Sequence, residues 1–299
     1  MTLKQLEAFY WAANCASFAV AAQRLHLSVS SLSKRIAELE QSLGQTLFDR
    51  SGQRAALTAV GAELLPRAGA LLDQAASLRA ELGRRPALRG TCRFGVGELT
   101  ASTWLPALVA RLQAAHPALH PAPSVDIGAV LEQQVAAGEL DFAIVAGRSL
   151  HGSVASRPLG EAHFSWCCAP VRSGRKRTLS PQLLAQGPLV TLPAGAGTTR
   201  LLDDFLAASG LDSGPRITCN QWSAVAGLLA EGVGIGFLPE AWARALEQRG
   251  TLRRLASTPP LGTLGYAFLH RRDDHRPLIQ TMSDLCAATA DFSRGHLLG

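Results

Sequence analysis

The stretch that decides the fold of the N-terminal region is residues 17–43, SFAVAAQRLHLSVSSLSKRIAELEQSL. Ser17 has the side chain of an N-cap and precedes a short alanine-rich helix. Ser28 can cap a second helix that runs to Leu43, where Gly44 ends it. In that helix leucine and isoleucine recur every three or four residues along one narrow apolar face. Together with an amphipathic helix over residues 1–14, this pattern predicts a helix-turn-helix at about residues 18–37.

The polar face of the last of these helices carries short or cationic side chains. Ser30, Ser33 and Lys34 lie opposite the apolar face, and Ser28 stands at the helix start. A helix that lies in a DNA major groove needs side chains of this kind. An ordinary solvated surface is the alternative, but such surfaces usually carry more Glu and Lys than this one does.

Residues 46–57 predict two short strands around a glycine-containing turn, which would form a wing beside the helices. Arg50 and Arg54 lie in this segment, where they would reach the DNA backbone or the minor groove. The distribution of charge agrees, because residues 1–89 hold 11 Lys and Arg against 7 Asp and Glu, a surplus of 4 in a net charge of +6. We therefore assign residues 1–58 to a winged helix-turn-helix that contacts nucleic acid.

Residues 59–89 predict a long helix, capped by Thr58, and a basic hinge rich in Pro and Gly. Pro66 is expected to kink this helix, because proline removes a helical hydrogen bond. Apolar residues recur in alternating steps of four and three, the a/d pattern of a two-helix coiled coil. A second copy of the chain would bury this seam and give a homodimer, whereas packing against the chain's own domains is the alternative. The seam comprises Leu64, Ala68, Leu71, Ala75, Leu78 and Leu82.

From residue 90 onward, short apolar strands alternate with helices, which favours a mainly parallel α/β architecture in two linked subdomains. We expect subdomain I to comprise about residues 90–162 and 266–299, and subdomain II about residues 163–265. Strands are predicted at residues 92–97, 124–128, 141–146, 164–168, 189–192, 217–219 and 235–238.

Several of these segments resemble the LysR-type transcriptional regulators. The N-terminal ones agree with the family in order and spacing, and GELDFAI (138–144) and GVGIGFLP (232–239) resemble its effector domain. The resemblance implies a ligand-responsive regulator with a winged helix-turn-helix, a dimerising linker helix and a two-subdomain α/β effector domain similar to periplasmic binding proteins. It also implies assembly into tetramers, and a small molecule in the inter-subdomain cleft that changes the grip on DNA. The N-terminal segments are LKQLEAF (3–9), residues 17–28, SKRIAELE (33–40), LGQTLFDR (43–50) and LTAVG (57–61).

The resemblance also implies DNA-contacting residues. At matching positions Ser28, Ser30, Ser33 and Lys34 would meet bases and phosphates of promoter DNA, and Arg50 and Arg54 would contact the backbone. The chain departs from the family at Val29, where glutamine is very common. Valine can still contact a thymine methyl group, so the preferred base at this position is open.

Ligands of two-subdomain clamps bind where strand ends and helix N-termini converge. Two segments fit this description, ELTAST (98–103) before a helix at Trp104, and the glycine-rich turn GAGTTR (195–200). By resemblance they flank the effector cleft from the two subdomains. Two alternatives remain open: Thr100 and Thr198 can be simple N-caps, and the indole of Trp222 can belong to the core. The predicted effector-binding residues are Thr100, Ser102, Thr103, Thr198, Thr199 and Trp222.

Helix N-termini, hydroxyl groups and the cations of Arg148 and Arg200 predict that the effector is an organic anion, a carboxylate-bearing metabolite. The histidines and cysteines lack metal-ligand spacing, and the chain has no nucleophile elbow and no Walker A motif, so neither catalysis nor a metal or other cofactor is expected. Buried free thiols are expected for the six cysteines, with a redox pair at Cys167–Cys168 as the alternative.

Neither a signal peptide nor a membrane-spanning run is visible in the sequence, so the cytoplasm is the expected location and a membrane is not an expected partner. The alternative function is a cytoplasmic solute-binding module without a role on DNA. The N-terminal pattern opposes that alternative.

Overall fold

The computed structural model describes residues 1–49, 55–81, 88–211 and 214–295. Its N-terminal domain contains the helices α1 (Leu3–Asn14), α2 (Phe18–Arg24) and α3 (Val29–Leu43), followed by the antiparallel strands β1 (Phe48–Asp49) and β2 (Ala56–Leu57). The predicted helices and the two strands of the wing are confirmed. The capping predictions hold as well, since the hydroxyls of Ser17 and Ser28 accept N–H bonds from the first turns of α2 and α3.

The apolar face of α3 belongs to the core of the N-terminal domain. Leu32, Ile36 and Leu39 are fully buried in one cluster with Phe9 and Trp11 of α1. Because this face fixes α3 against α1, the opposite face is left toward solvent.

The linker helix α4 (Ala59–Glu81) is one continuous helix that includes Pro66. The predicted seam divides into two parts. Ala68 is fully buried in the core of the N-terminal domain and Leu64 packs against that core, so here the own-domain alternative is correct. Leu71 and Leu78 are 44% and 58% exposed within one chain, as is expected of apolar residues that a second chain would cover. Leu82 lies outside the described residues.

The C-terminal region forms two five-stranded sheets. The elements along the chain are β3 (Gly90–Val96), α5 (Glu98–Thr103), α6 (Leu105–Ala115), β4 (Leu119–Val125), α7 (Gly128–Ala136), β5 (Phe142–Ala146), β6 (Val154–Ala162), β7 (Phe164–Cys168), α8 (Pro170–Ser173), α9 (Pro181–Leu184), β8 (Leu189–Thr191), α10 (Gly197–Ser209), β9 (Arg216–Thr218), α11 (Trp222–Ala230), β10 (Ile235–Pro239), α12 (Glu240–Gln248), β11 (Arg253–Leu255), β12 (Leu264–Arg271) and α13 (Pro277–Ala287). Subdomain I has the strand order β4-β3-β5-β12-β6, and subdomain II has the order β11-β7-β10-β8-β9.

The prediction of a mainly parallel architecture is confirmed, because four of the five strands in each sheet run in the same direction and one strand, β12 or β7, runs against them. Strand β12 pairs antiparallel with β5 and β6, and β7 pairs antiparallel with β10 and β11. The physical reason lies in the connections: β6 carries the chain out of subdomain I and its neighbour β12 brings the chain back, so the two run in opposite directions. The strand predicted at residues 124–128 lies earlier, at Leu119–Val125.

Within the described part of the chain, no helix is both long enough and apolar enough to cross a lipid bilayer.

Candidate functional site

The exposed face of α3 is the candidate DNA-reading surface. Ser28, Ser30 and Lys34 are exposed and Ser33 is half-buried. The hydroxyl of Ser28 accepts the N–H of Ser31 at 3.1 Å and lies 2.9 Å from the Ser30 hydroxyl, so Ser28 is also the helix cap. Val29 is 47% exposed beside them. This turn therefore presents two serine hydroxyls, one valine and one lysine to solvent.

The turn between α2 and α3 depends on a residue that the sequence interpretation did not single out. His26 has φ +55°, a left-handed conformation that is uncommon for a residue other than glycine. Its neighbour Leu27 donates its N–H to the carbonyl of Ala22 at 2.8 Å, which ends α2 tightly. The strands β1 and β2 pair Phe48 with Leu57 and so place the base of the wing. Arg50 and Arg54 lie outside the described residues.

A cluster of buried charges joins the N-terminal domain to subdomain I. The guanidinium of Arg24, at the end of α2, donates to the carboxylate of Asp274 and, at 3.2 Å, to the carbonyl of Gly138. Arg276 donates to Asp274 at 2.7 Å and to Asp141 at 2.5 Å. The side chains of Arg24 and Asp274 are 2% and 0% exposed. This cluster, which we call the junction network, fixes one position of α2 on subdomain I.

The junction network also sets the charge state of its central carboxyl group. Burial by itself would raise the pKa of Asp274, but the positive charges of Arg276 and Arg24 outweigh burial and hold this pKa below its ordinary value. The ring of Trp11 lies 4.2 Å from the Arg24 guanidinium, a cation–π contact from α1. Arg271 adds two bonds of 2.7 Å, to the carbonyls of Asn14 and Ala136.

The candidate effector site is a cavity of about 330 Å³ between the two subdomains, within the size range of small-molecule pockets. Each subdomain contributes the starts of helices and the ends of strands to its wall. Subdomain I contributes Gly97, Glu98, Leu99, Val125, Asp126, Ile127, Gly128, Val145, Ala146 and Tyr266; subdomain II contributes Leu192, Ala196, Gly197, Thr198, Asn220, Gln221, Trp222 and Ser223.

Of the predicted effector residues, Thr198 and Trp222 line this cavity. The side chain of Thr198 stands in the first turn of α10. The residue is 2% exposed, and its hydroxyl has no hydrogen-bond partner among the residues that the structure describes. Trp222 is 2% exposed and packs on Phe164 and Phe237, with ring centroids 5.8 and 6.1 Å away. The indole is therefore a core residue with one edge at the cavity.

The predicted residues near Trp104 do not line the cavity. Residues 98–103 form the helix α5 itself instead of a loop before a helix, so its start at Gly97–Leu99 reaches the cavity and its later residues turn away. Thr100 is fully buried, and Thr103 donates its hydroxyl to the Leu99 carbonyl at 2.5 Å. Ser102 is half-buried on the same short helix.

Thr199 belongs to a neighbouring cavity of about 380 Å³. Its hydroxyl donates to the carbonyl of Pro193 at 2.9 Å. Arg148 and Arg200, the predicted sources of positive charge, line this second cavity and are exposed. The cations expected beside the effector thus line an adjoining cavity, which shares Gly128, Val145, Ala146, Ala196 and Gly197 with the cavity at Thr198.

A contact across the cleft was missing from the sequence interpretation. The carboxylate of Glu98, at the start of α5 in subdomain I, accepts the backbone N–H of Trp222 and, at 3.4 Å, that of Ser223. Both donors belong to the first turn of α11 in subdomain II. Glu98 therefore caps a helix of the opposite subdomain, and 124 residues separate it from Trp222.

All six cysteines are free thiols in the structure. Burial raises the pKa of the Cys167 and Cys286 thiols far above the ordinary value and also raises the pKa of Cys168. Since the thiolate is the reactive form, these groups are poor nucleophiles at neutral pH. Among the described residues, no cluster of His, Cys, Asp and Glu could hold a metal ion.

Two family models match this chain. The model "Bacterial regulatory helix-turn-helix protein, lysR family" covers residues 3–62, and the model "LysR substrate binding domain" covers residues 85–291. The first match opposes a solute-binding module without a role on DNA.

Two curated proteins are similar to this chain over most of its length. The uncharacterized HTH-type transcriptional regulator YeiE of Escherichia coli is 28% identical over 92% of this chain and 93% of its own length. The HTH-type transcriptional activator IlvY of Salmonella typhimurium is 29% identical over 80% of this chain and 83% of its own.

Solved structures share the fold. A full-length OxyR variant from Pseudomonas aeruginosa superposes with a TM-score of 0.65 at 22% identity, covering 97% of this chain and 96% of that one. ArgP from Mycobacterium tuberculosis gives a TM-score of 0.64 at 22% identity, covering 98% of both chains. Since the two family models together account for nearly the whole chain, this protein belongs to the LysR family and is a DNA-binding transcriptional regulator with a substrate-binding domain.

Proposed function

We propose that this regulator binds a small carboxylate in the cavity between its two subdomains and transmits that binding to promoter DNA. The observation that carries the proposal is Thr198, a buried hydroxyl without a partner in the first turn of α10, on the cavity wall. A helix N-terminus offers unsatisfied N–H donors and partial positive charge, which favour an anion. A carboxylate would accept from both the helix and the hydroxyl.

On the DNA side, we propose that α3 enters the major groove. Ser30 and Ser33 would contact base edges, Ser28 would contact a phosphate while capping the helix, and Lys34 would contact the backbone. Arg50 and Arg54 remain proposed contacts of the wing.

The exposed Leu71 and Leu78 on α4 support a dimer through this helix, and the family resemblance extends the proposal to a tetramer. The proposed place of action is the cytoplasm, where promoter DNA lies, and the proposed role includes no catalysis.

The experiment combines ligand binding with DNA retardation. Purified wild-type protein is screened against metabolite carboxylates by thermal shift, and each hit is titrated by calorimetry against wild type and Thr198→Val. A hit that binds the variant more weakly supports the site, and its addition should change the retardation of a promoter fragment that the protein binds. Hits that bind Thr198→Val with unchanged affinity would refute the cavity assignment, and a protein that retards no promoter fragment would refute the role on DNA.

A further inference from the structure

Two helices of subdomain II begin at the wall of the effector cavity, and neither receives a side-chain cap from its own N-cap residue. These residues are Ala196 for α10 and Gln221 for α11. Each first turn therefore offers backbone N–H groups that require an acceptor. Helix N-termini of this kind are the positions where a carboxylate is stabilised.

The chain itself fills one of the two positions. At α11 the acceptor is the carboxylate of Glu98, which comes across the cleft and bonds the N–H groups of Trp222 and Ser223. At α10 the buried hydroxyl of Thr198 has no partner. Of the two helix starts that subdomain II contributes to the cavity, one is therefore taken by Glu98 and the other, at Thr198, is open.

The charged side chains on the cavity wall are negative, whereas positive side chains are the ones that attract an anion. Among the described lining residues, Glu98 and Asp126 are the charged ones, and both are acidic. Asp126 is exposed at the wall, and its Oδ1 accepts the N–H of Ile127 at 2.7 Å. A ligand that places its carboxylate at Thr198 thus has two carboxylates near its remaining part, which favours a positive charge there and disfavours a second negative one.

We propose that the effector is an amino acid, with one carboxylate at Thr198 and the start of α10 and one ammonium group facing Glu98 and Asp126. Glu98 determines this specificity in two ways: it supplies negative charge to the ammonium group, and it occupies the α11 position that a dicarboxylate would need. The inference rests on the proposed function, since it adds a second charge to the same carboxylate ligand.

The test is calorimetry on the full chain with a defined set of compounds. The set contains the twenty protein amino acids, succinate and glutarate, and, for each amino acid that binds, its 2-oxo acid and its decarboxylated amine. At least one amino acid should bind, and both of its matched analogues should bind at least tenfold more weakly. A 2-oxo acid or dicarboxylate that binds as tightly as the amino acid, or no binding by any amino acid, would overturn the proposal.

Two variants of Glu98 separate its two roles. Glu98→Gln keeps an acceptor for α11 and removes the charge, so amino-acid affinity should fall at least tenfold. Glu98→Ala opens the start of α11, so succinate or glutarate should gain at least tenfold relative to wild type. Glu132→Gln, in the neighbouring cavity, is the matched control for loss of one acidic charge and should leave both affinities unchanged. If Glu98→Ala fails to fold by circular dichroism, Glu98→Gln alone decides the role of the charge.

Failure of the inference differs from failure of the proposed function. If 2-oxo acids or dicarboxylates bind wild type and weaken in Thr198→Val, the carboxylate site stands and the amino-acid class is wrong. If amines alone bind, and bind Thr198→Val equally well, the carboxylate site is wrong as well.

Discussion

The junction network and the effector cavity lie at two ends of subdomain I, and their buried polar groups differ in whether they have hydrogen-bond partners. At the junction with the N-terminal domain, Asp274 is fully enclosed and bonded to both Arg24 and Arg276. At the cleft, Thr198 faces subdomain I from α10 with an equally buried hydroxyl that has no partner. Burying a polar group costs free energy unless a partner compensates it. The carboxylate of Asp274 is therefore partnered within one chain, although the Nε of Arg24 beside it is not, whereas the Thr198 hydroxyl has no partner at all among the described residues.

The largest expected effect comes from breaking the junction network. Asp274→Ala leaves Arg24 buried without its carboxylate partner, so the free energy of unfolding should fall by about 3–5 kcal/mol, measured by urea denaturation. The exposed pair Arg67–Glu63 is the matched control, since Glu63→Ala should cost about 0.5 kcal/mol or less. Equal losses in the two variants would show that the junction contributes no more than a surface ion pair.

The two parts of α4 give a second contrast, because the part at Ala68 is covered by the N-terminal domain and the part at Leu71 and Leu78 is exposed. Leu71→Asp combined with Leu78→Asp puts charge on the exposed part of the helix, where a partner helix would bury it at a cost of several kcal/mol per ion. The dimer should dissociate in analytical ultracentrifugation, and specific DNA binding should fall, because paired half-sites need two recognition helices. Val171→Asp, at a residue 84% exposed in subdomain II, is the control. An intact dimer in the double variant would place the interface elsewhere.

Acid should weaken the junction network. The folded-state pKa of Asp274 is depressed, so its contribution to stability is complete above its unfolded pKa of about 3.9 and is lost as pH falls toward the folded value. One such group changes the free energy of unfolding by at most about 1.4 kcal/mol per pH unit. Asp274→Asn should therefore show a shallower loss of stability below about pH 4 than wild type. Parallel pH curves for the two proteins would contradict the charge assignment.

The sequence predicted features that depend on neighbouring residues and did not predict contacts between residues far apart in the chain. The Ser28 cap and Gly44 stop of α3 depend on residues within one helix length, and both were predictable. Arg24 and Asp274 are 250 residues apart, and no local pattern distinguishes a buried arginine that bonds a distant carboxylate from a solvated one. The a/d spacing of α4 was ambiguous for another reason, since the same period serves packing on the chain's own domain, as at Ala68, and packing on a partner.

Substitutions on the exposed face of α3 are expected to have a smaller effect, on DNA binding. Lys34→Ala should weaken DNA binding and reduce the slope of log K against log salt by about 0.9, the loss of one phosphate contact. Ser30→Ala should instead change base preference and leave the slope as in wild type. Lys176→Ala, an exposed lysine of subdomain II, is the control and should change neither quantity. An unchanged slope in Lys34→Ala would remove this residue from the DNA contact.

The smallest effect tests the cleft directly. Thr198→Val keeps the shape of the side chain and removes the unpartnered hydroxyl, so effector affinity should fall by about 0.5–1.5 kcal/mol, a loss of roughly two- to thirteenfold. Thr100→Val is a close control, since Thr100 is also fully buried with an unpartnered hydroxyl but does not line the cavity. Calorimetry should show weaker binding for the first variant only, while DNA affinity without effector stays the same in both. Equal losses in the two variants would mean that a buried hydroxyl in this domain acts through stability alone. The contrast between the partnered Asp274 carboxylate and the unpartnered Thr198 hydroxyl would then no longer identify where the effector binds.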